Sequence, residues 1–252
     1  MRRRGAIPRR LLADGTLLQN RLLASLPERD YRRLARHLRV ESTLTGGTLH
    51  GDGRRIDDVY FPNGGVFSIT TRLHDDSLVE VATVGREGML GVGVFLGDRV
   101  GTGQTFQQVG DGQVVALAVS VFAREAAVAG AFRDLVALYT QATLLQTMQC
   151  TACNARHDVT QRCSRWILQT HDRVDSDDFA MKHQFLAVML GVQRPTVTVV
   201  LRGLQDSGLI ASKYGHMRVL KRRQLESTSC ECYAVIRGHF ARLGLWTPGP
   251  HV

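Results

Sequence analysis

A twenty-residue segment, His183 to Arg202, places the strongest constraint on the fold of this chain. It reads HQFLAVMLGVQRPTVTVVLR, two short amphipathic helical patterns separated by Gly191. Ala187 supplies a small residue where two helices can cross, and a glycine four positions later permits a left-handed turn. Pro195 suits the first turn of the second helix, because its missing N–H needs no partner there. The segment predicts a helix-turn-helix whose buried side chains are Leu186, Leu190, Val192, Val197 and Val200.

The region before this segment has a different residue pattern, typical of β-strands. From about Glu41 to Val119, short β-branched runs alternate with turns that contain Asn-Gly or Gly-Gly, which are hairpin signals. Many short strands without intervening helices predict a β-barrel or sandwich. From Ser120 onward the pattern becomes helical, and glycine is absent between Gly130 and Gly191.

The long helical pattern after residue 126 carries a stripe at alternating spacings of three and four residues. The stripe consists of Leu135, Leu138, Ala142, Leu145, Gln149 and Ala152. This spacing is typical of the seam between two coiled helices, so it favours a homodimer. Packing of the same helix face on the chain's own β domain stays open as the alternative.

Positive charge is concentrated in two places. The net charge is +9, five arginines lie in residues 1–10, and residues 180–223 hold eight Lys and Arg against Asp206. Such a distribution favours a polyanionic partner at these two places. The basic start of the chain is followed by no long apolar run, so we expect a cytoplasmic protein with no membrane segment.

The second helix of the pair presents polar side chains that could read DNA. If its N-terminal end enters a major groove, the residues that face the bases are Gln193, Arg194, Thr198 and Arg202. Arginine matches the acceptors of guanine, and glutamine matches adenine. Two short β-runs around Tyr214-Gly215 predict a wing behind this helix. The residues expected to contact the DNA backbone are Lys182, Thr196, Lys213, His216 and Arg218.

A β-roll, a long helix and a winged helix-turn-helix, in that order, resemble the Crp/Fnr family of bacterial transcription regulators. The resemblance covers about residues 20–228 and is most specific in Gly191 to Ile210. It implies an α+β chain with a cyclic-nucleotide-binding-like β-roll (jelly-roll) sensor domain at 20–125, a dimerisation helix at 126–160 and a winged helix-turn-helix at 161–228. It further implies a homodimer on a two-fold symmetric operator, with double-stranded DNA, RNA polymerase and a small-molecule effector as partners.

The chain departs from this family at the site where some members bind cyclic nucleotides. Gly88-Met89 stands where those members have Gly-Glu, and Arg99 is followed by Val100 where they have Arg-Ser or Arg-Thr. Methionine cannot accept from ribose hydroxyls, and valine lacks a hydroxyl for the phosphate. Gly88, Met89 and Arg99 therefore mark a candidate effector pocket that we do not expect to bind a cyclic nucleotide.

Other chemistry receives little support from the sequence. Cysteines one helical turn apart are more often packing residues than ligands, so we predict no metal site and no cofactor, with a zinc or iron–sulfur site as the open alternative. The residues concerned are Cys150, Cys153, His157, Cys163, Cys230 and Cys232. The histidines form no constellation with a Ser or Cys nucleophile, so we predict no enzyme. The remaining alternative to DNA binding is a small-molecule sensor or scaffold whose C-terminal domain contacts protein.

Overall fold

The computed structural model describes residues 8–110 and 112–246. Three of the five N-terminal arginines lie in residues 1–7, outside the described residues. The Arg10 side chain is buried, with its guanidinium 4.2 Å from the ring centre of Tyr31, and it donates to the backbone oxygen of Leu26 over 2.5 Å. Arg10 is therefore a packing residue, which corrects its assignment to a basic contact surface.

The N-terminal part of the molecule is a β-roll, preceded by the short helices α1 (Arg21–Ala24) and α2 (Glu28–Ala35). Its strands are β1 (Arg39–Thr43), β2 (Thr48–His50), β3 (Asp58–Pro62), β4 (Val66–Arg72), β5 (Leu78–Val84), β6 (Gln104–Val109) and β7 (Gly112–Ala118). They pair in the antiparallel orders β1-β7-β3 and β2-β6-β4-β5. A 3₁₀ helix, Val92–Leu96, lies between β5 and β6. The strand-rich prediction for this region is confirmed.

A long helix follows the roll. The helix α3 (Val119–Ala127) leads into α4 (Ala131–Arg156), and the closing helix α9 (Cys232–Arg242) packs alongside α4. Ile236 and Phe240 of α9 join the same hydrophobic core as the inner face of α4 and the roll. The buried residues of α4 are Phe132, Leu135, Val136, Tyr139, Ala142, Gln146 and Cys153. One side of α4 is therefore covered by its own chain.

The segment between α4 and α9 folds as a winged-helix unit, whose hydrophobic core also includes Val66, Phe106 and Val109 of the roll. Its elements are α5 (Val159–His171), β8 (Asp178–Ala180), α6 (His183–Leu190), α7 (Arg194–Asp206), β9 (Ile210–Lys213), β10 (His216–Val219) and α8 (Arg222–Thr228). The strands form a sheet in the order β8-β10-β9. Asp158 starts α5 with a capping box, in which its side chain accepts from the backbone N–H of Gln161 and the Gln161 side chain accepts in return.

The winged-helix unit packs against the roll through apolar side chains and through paired polar groups. The Phe106 ring of the roll lies 6.5 Å, centre to centre, from the Phe185 ring of α6. The Trp166 indole donates to the Glu80 carboxylate over 3.0 Å, and the Arg173 guanidinium donates to Glu87 over 2.8 Å. Burial raises the pKa of Glu80 to about 7. Burial also acts to raise the pKa of Glu87, but the charge of Arg173 outweighs it and the pKa is lowered. These two contacts, together with the apolar packing on Val66, Phe106 and Val109, hold the winged-helix unit on the roll.

Among residues 8–110 and 112–246, no single helix is long and apolar enough to cross a membrane. The helices α6 and α7 pass the length and composition criteria only as a pair, with a bend of 105° between them.

Candidate nucleic-acid interface

The predicted helix-turn-helix is formed by α6 and α7. The first helix ends at Leu190, and Gly191 follows with a φ of 62°, in the left-handed region that favours glycine. The second helix runs at 105° to the first and has Pro195 in its first turn. Ala187 is buried, as expected for a small residue at the crossing. The turn therefore has the backbone geometry that the sequence predicts.

The inner face of α7 fixes which residues point outward. Val197, Leu201 and Leu204 are buried and join the core of the winged-helix unit. Val192 and Val200 are only half-buried at the edge of this core, which corrects their assignment to the fully buried set. Because residues three and four apart share a helix face, the opposite face of α7 is left to solvent.

The residues predicted to read bases all lie on this outward side. Arg194, Thr198 and Arg202 are exposed along α7, and Gln193 is exposed at its N-cap position. Thr196, predicted to contact phosphate, is exposed in the first turn. The structure therefore brings Gln193, Arg194 and Thr198 together at the N-terminal half of α7, where a helix can meet base edges in a major groove, while Arg202 lies farther along the same helix.

Several cations near this end of α7 are free of carboxylate partners. Arg194 and Arg202 on α7, Lys182 at the N-cap of α6 and Lys213 at the end of β9 make no ion pair within the described residues. Lys182, Arg194 and Lys213 line one surface groove between the start of α6, the start of α7 and the β9–β10 turn. An unpaired cation keeps its full charge for a phosphate or a base acceptor.

The wing is a tight hairpin in which His216 and Arg218 contact a carboxylate and Lys213, among the described residues, does not. Tyr214 and Gly215 turn the chain with φ values of 51° and 78°, as a two-residue hairpin requires. The His216 ring nitrogen lies 3.1 Å from an Asp178 oxygen, and the Arg218 guanidinium lies 3.1 Å from the other. The predicted phosphate contacts of these two residues compete with Asp178, whereas Lys213 is not engaged in this way.

His183 stands at the junction of α6 and α7. Its Nδ1 lies 3.3 Å from the Thr198 hydroxyl, which donates to the backbone oxygen of Arg194 over 3.1 Å. Burial, followed by the positive charge of Arg194, lowers the pKa of His183. Both effects act against a positive charge on the ring, and the Thr198 side chain remains exposed.

The predicted seam on α4 faces the wrong way for a dimer contact over part of its length. Leu135 and Ala142 are buried in the chain's own core, and the Gln149 amide donates to the Cys232 sulfur of α9 over 3.0 Å. Leu138 and Leu145 are half-buried, and Ala152 is exposed. The assignment of Leu135, Ala142 and Gln149 to the seam is wrong because α9 and the roll cover that face.

The predicted effector residues do not form a pocket. Met89 is fully buried, and its backbone oxygen accepts from the Tyr139 hydroxyl over 3.0 Å. A β-carbon at Gly88 would lie 2.5 Å from the Tyr139 hydroxyl oxygen, so only glycine fits beneath α4. Arg99 is exposed on the loop after the 3₁₀ helix. The assignment of Gly88 and Met89 to a ligand pocket is corrected, since packing against α4 leaves no space at either residue.

The sequence prediction missed two exposed residues beside the predicted readers. Val199 is 72% exposed on α7, and Tyr214 is 91% exposed at the tip of the wing. Val199 lies three residues before Arg202, so helical spacing places both on one face. That spacing was the sequence signal that could have added Val199 to the predicted reading residues.

Comparison with known proteins agrees with this architecture. Residues 161–228 match the Crp-like helix-turn-helix domain family. A CRP-family transcriptional regulator from Thermus thermophilus has a similar structure, with a TM-score of 0.64 and 18% identity over 76% of this chain and 96% of that one. FixK2 from Bradyrhizobium japonicum gives a TM-score of 0.62 and 16% identity over 77% of this chain and 98% of that one.

A third similar structure is the c-di-GMP-responsive global regulator CLP from Xanthomonas campestris, with a TM-score of 0.61 and 18% identity over 77% of this chain and 99% of that one. No curated protein matches the chain by sequence. At these identities the solved structures establish the fold, and the domain match identifies the helix-turn-helix. The chain therefore has the fold of the Crp/Fnr family of transcription regulators and carries a Crp-like helix-turn-helix domain at residues 161–228.

Proposed function

We propose that the protein is a sequence-specific DNA-binding transcription regulator rather than an enzyme, and that α7 enters the major groove. The observation that carries this proposal is the surface formed by Lys182, Arg194 and Lys213, which lie in one groove beside an exposed helix face and pair with no carboxylate of residues 8–110 and 112–246. Backbone phosphates supply the charge that such a surface lacks, and contacts to them fix the orientation of the helix.

Sequence preference would come from the outward side of α7. Arg194 is suited to the paired acceptors of guanine, and Gln193 to those of adenine. The exposed side chain of Val199 and the methyl of Thr198 are suited to contact the methyl group of thymine. Arg202, two turns from the tip, is placed to contact a base or a phosphate at the far end of the site.

The protein is further proposed to act as a homodimer on a two-fold symmetric operator. The contact is assigned to the outer stripe of α4, which consists of Ala137, Gln141, Leu144 and Met148. Leu144 is 60% exposed and Met148 is 61% exposed, unlike the seam predicted from the sequence. The spacings of four, three and four residues suit a two-helix coiled contact. RNA polymerase is a further proposed partner of the DNA-bound dimer.

The oligomeric state of the protein tests this assignment of the dimer contact directly. Leu144→Glu combined with Met148→Glu should convert the dimer into a monomer in analytical ultracentrifugation. Arg156→Glu, an exposed change at the end of the same helix, is the matched control and should leave the dimer intact. A dimer that survives the double change would exclude the outer stripe of α4.

We further propose that DNA binding by this protein does not depend on a cyclic nucleotide. Met89 and Gly88 are packed beneath Tyr139, and Arg99 lies apart from them on the surface. An effector, if the protein has one, would have to bind at other residues.

Selection from a pool of random duplexes with the purified full-length protein tests the function. We expect enrichment of an inverted repeat with half-sites one helical turn apart, unchanged by added cyclic AMP or cyclic GMP. The same selection is repeated with the Arg194→Ala variant. Loss of enrichment with this variant would show that the sequence preference depends on α7. Failure of the wild type to enrich any sequence would favour a C-terminal domain that contacts protein.

A further inference from the structure

Four metal-ligating side chains that are distant in the sequence meet at the end of the long helix. Cys153 and His157 lie one turn apart at the end of α4, and Cys230 and Cys232 lie immediately before and at the start of α9. Their sulfur and nitrogen atoms all lie within 4.8 Å of one another. The three cysteines are buried and contact one another as a separate cluster.

The distances between these atoms are those of ligands around a single ion. The Cys153 and Cys230 sulfurs are 3.5 Å apart, and the Cys232 sulfur is 3.6 Å from Nδ1 of His157. Tetrahedral zinc, with bonds of about 2.3 Å to sulfur and about 2.05 Å to nitrogen, requires about 3.8 Å between two sulfurs and about 3.5 Å between sulfur and nitrogen. The two measured distances lie within a few tenths of an ångström of these values, and no pair of the four ligand atoms is more than 4.8 Å apart.

Neighbouring side chains form hydrogen bonds with the proposed ligands, as residues around a metal site usually do. The Glu231 carboxylate lies 3.1 Å from Nε2 of His157, which leaves Nδ1 turned toward the sulfurs. The Gln149 amide donates to the Cys232 sulfur over 3.0 Å, a contact that favours the thiolate. A carboxylate on the far nitrogen of a ligating histidine orients the ring and increases its basicity.

We propose that Cys153, His157, Cys230 and Cys232 bind one zinc ion in a tetrahedral Cys₃His site. The three thiols lose their protons on binding, and the imidazole binds as the neutral ring. An iron–sulfur cluster fits less well, because its ligands bind different iron atoms and must lie farther apart than these four atoms do. The other cysteines stand outside the site, since Cys163 is buried in the winged-helix core and Cys150 faces Arg165.

The four proposed ligands lie on both sides of the winged-helix unit in the sequence, so a bound ion would constrain how that unit is attached. His157 precedes the winged-helix unit and Cys230 follows it, so the ion would join both ends of that unit to α4. It would also fix the start of α9, whose residues Ile236 and Phe240 cover α4. An effect of the bound ion on DNA affinity would rest on the proposed function above. Zinc binding itself does not depend on that function.

Metal analysis of the purified full-length protein tests the site without reference to DNA. Elemental analysis should find about one zinc per chain, and replacement by Co²⁺ should give the intense visible bands and thiolate charge-transfer absorption of a tetrahedral site. Cys153→Ser and Cys232→Ser should each lose the metal. Cys150→Ser, on the same helix but outside the cluster, is the matched control and should retain it.

A second variant separates ligand positioning from folding. Glu231→Gln should keep the fold and the stoichiometry but weaken zinc affinity by about 10 to 100-fold in chelator competition. A wild type without bound metal after purification and zinc addition under reducing conditions would overturn the proposal. Stoichiometric iron, a Cys153–Cys230 disulfide under those conditions or equal metal loss in Cys150→Ser would overturn it as well. If DNA binding failed while zinc was retained, the proposed function would fall and this site would stand.

Discussion

The arginines of α7 and those between the roll and the winged-helix unit differ in what they contact. Arg194 and Arg202 are exposed and make no ion pair within the described residues. Arg173 is nearly buried and paired with the equally buried Glu87, and Arg86 is paired with Asp175. Arginine thus has two roles in this molecule, and the presence or absence of a carboxylate partner distinguishes them. A paired arginine holds two parts of the chain together, whereas an unpaired one on an exposed helix is available to an external anion.

The largest expected effect is at the paired arginine. Arg173→Met leaves the Glu87 carboxylate buried without its cation, so the free energy of unfolding should fall by about 3–5 kcal/mol in urea titrations. Arg55→Met is the matched control, because Arg55 and its partner Asp57 are both about three-quarters exposed and should contribute little. Adding Glu87→Gln to Arg173→Met should recover much of the loss. Equal effects of Arg173→Met and Arg55→Met would remove the distinction between the two regions.

The stability that the interface between the roll and the winged-helix unit gives the folded chain should also depend on pH. Burial raises the pKa of Glu80 from an ordinary value near 4.5 to about 7, although Ser68, Arg165 and Trp166 favour its charged form. Between those values the folded chain keeps a proton that the unfolded chain releases, so stability should fall as pH rises from about 4.5 to 7, by at most about 1.4 kcal/mol per pH unit. Urea titrations from pH 5 to 8 should show this slope, and Glu80→Gln should flatten it.

Glu87 provides the internal comparison for this prediction. Arg173 lowers its pKa, so its contribution to stability is present above the ordinary pKa of a glutamate and is lost only as pH falls through the lowered value. Glu87→Gln should therefore leave the slope between pH 5 and 8 unchanged. A slope that disappears in Glu87→Gln but persists in Glu80→Gln would reverse the assignment.

At the unpaired arginine the effect should appear in DNA binding instead of stability. Arg194→Ala should leave the unfolding midpoint nearly unchanged and cost about 1–3 kcal/mol on the preferred duplex, with relaxed preference at one base pair. Fluorescence anisotropy on duplexes that differ at single positions measures both. Arg55→Ala, a surface change on the roll, is the control for a general loss of charge. A uniform loss on all duplexes would make Arg194 a phosphate contact.

The smallest expected effect is at Lys182. This residue caps α6 beside the groove and lies over the ring of Phe185, 6.0 Å from its centre. Lys182→Ala should weaken binding to every duplex to about the same extent and reduce the slope of log affinity against log salt by about 1. A change of sequence preference in this variant would mean that Lys182 reads a base.

The regions of the molecule also differ in how far the sequence could predict them. The turn at Gly191 and the outward side of α7 follow from local spacing and backbone preference, and they are found as predicted. The face that α4 presents to solvent does not follow from its own sequence. It depends on α9, a helix about eighty residues away along the chain, whose Ile236 and Phe240 cover part of the predicted seam.

The cysteines illustrate the same limit. Sequence spacing paired Cys150 with Cys153, one turn apart, but the structure turns Cys150 toward Arg165 and places Cys153 beside Cys230. Local spacing gives ligand pairs such as Cys153 with His157, while only the tertiary fold can bring two pairs together. The burial of Glu80 beneath Trp166 is likewise invisible to strand periodicity, because it requires the winged-helix unit to pack on the roll.

The salt dependence of binding to a single fixed duplex tests the assignment of the unpaired cations most directly. For about six neutralised phosphates, log affinity should fall with log salt at a slope of about −5. Lys182→Ala and Lys213→Ala should each reduce this slope, whereas Arg55→Ala should not. A wild-type slope near zero, or slopes unaltered in the Lys182 and Lys213 variants, would contradict DNA binding through α6, α7 and the wing.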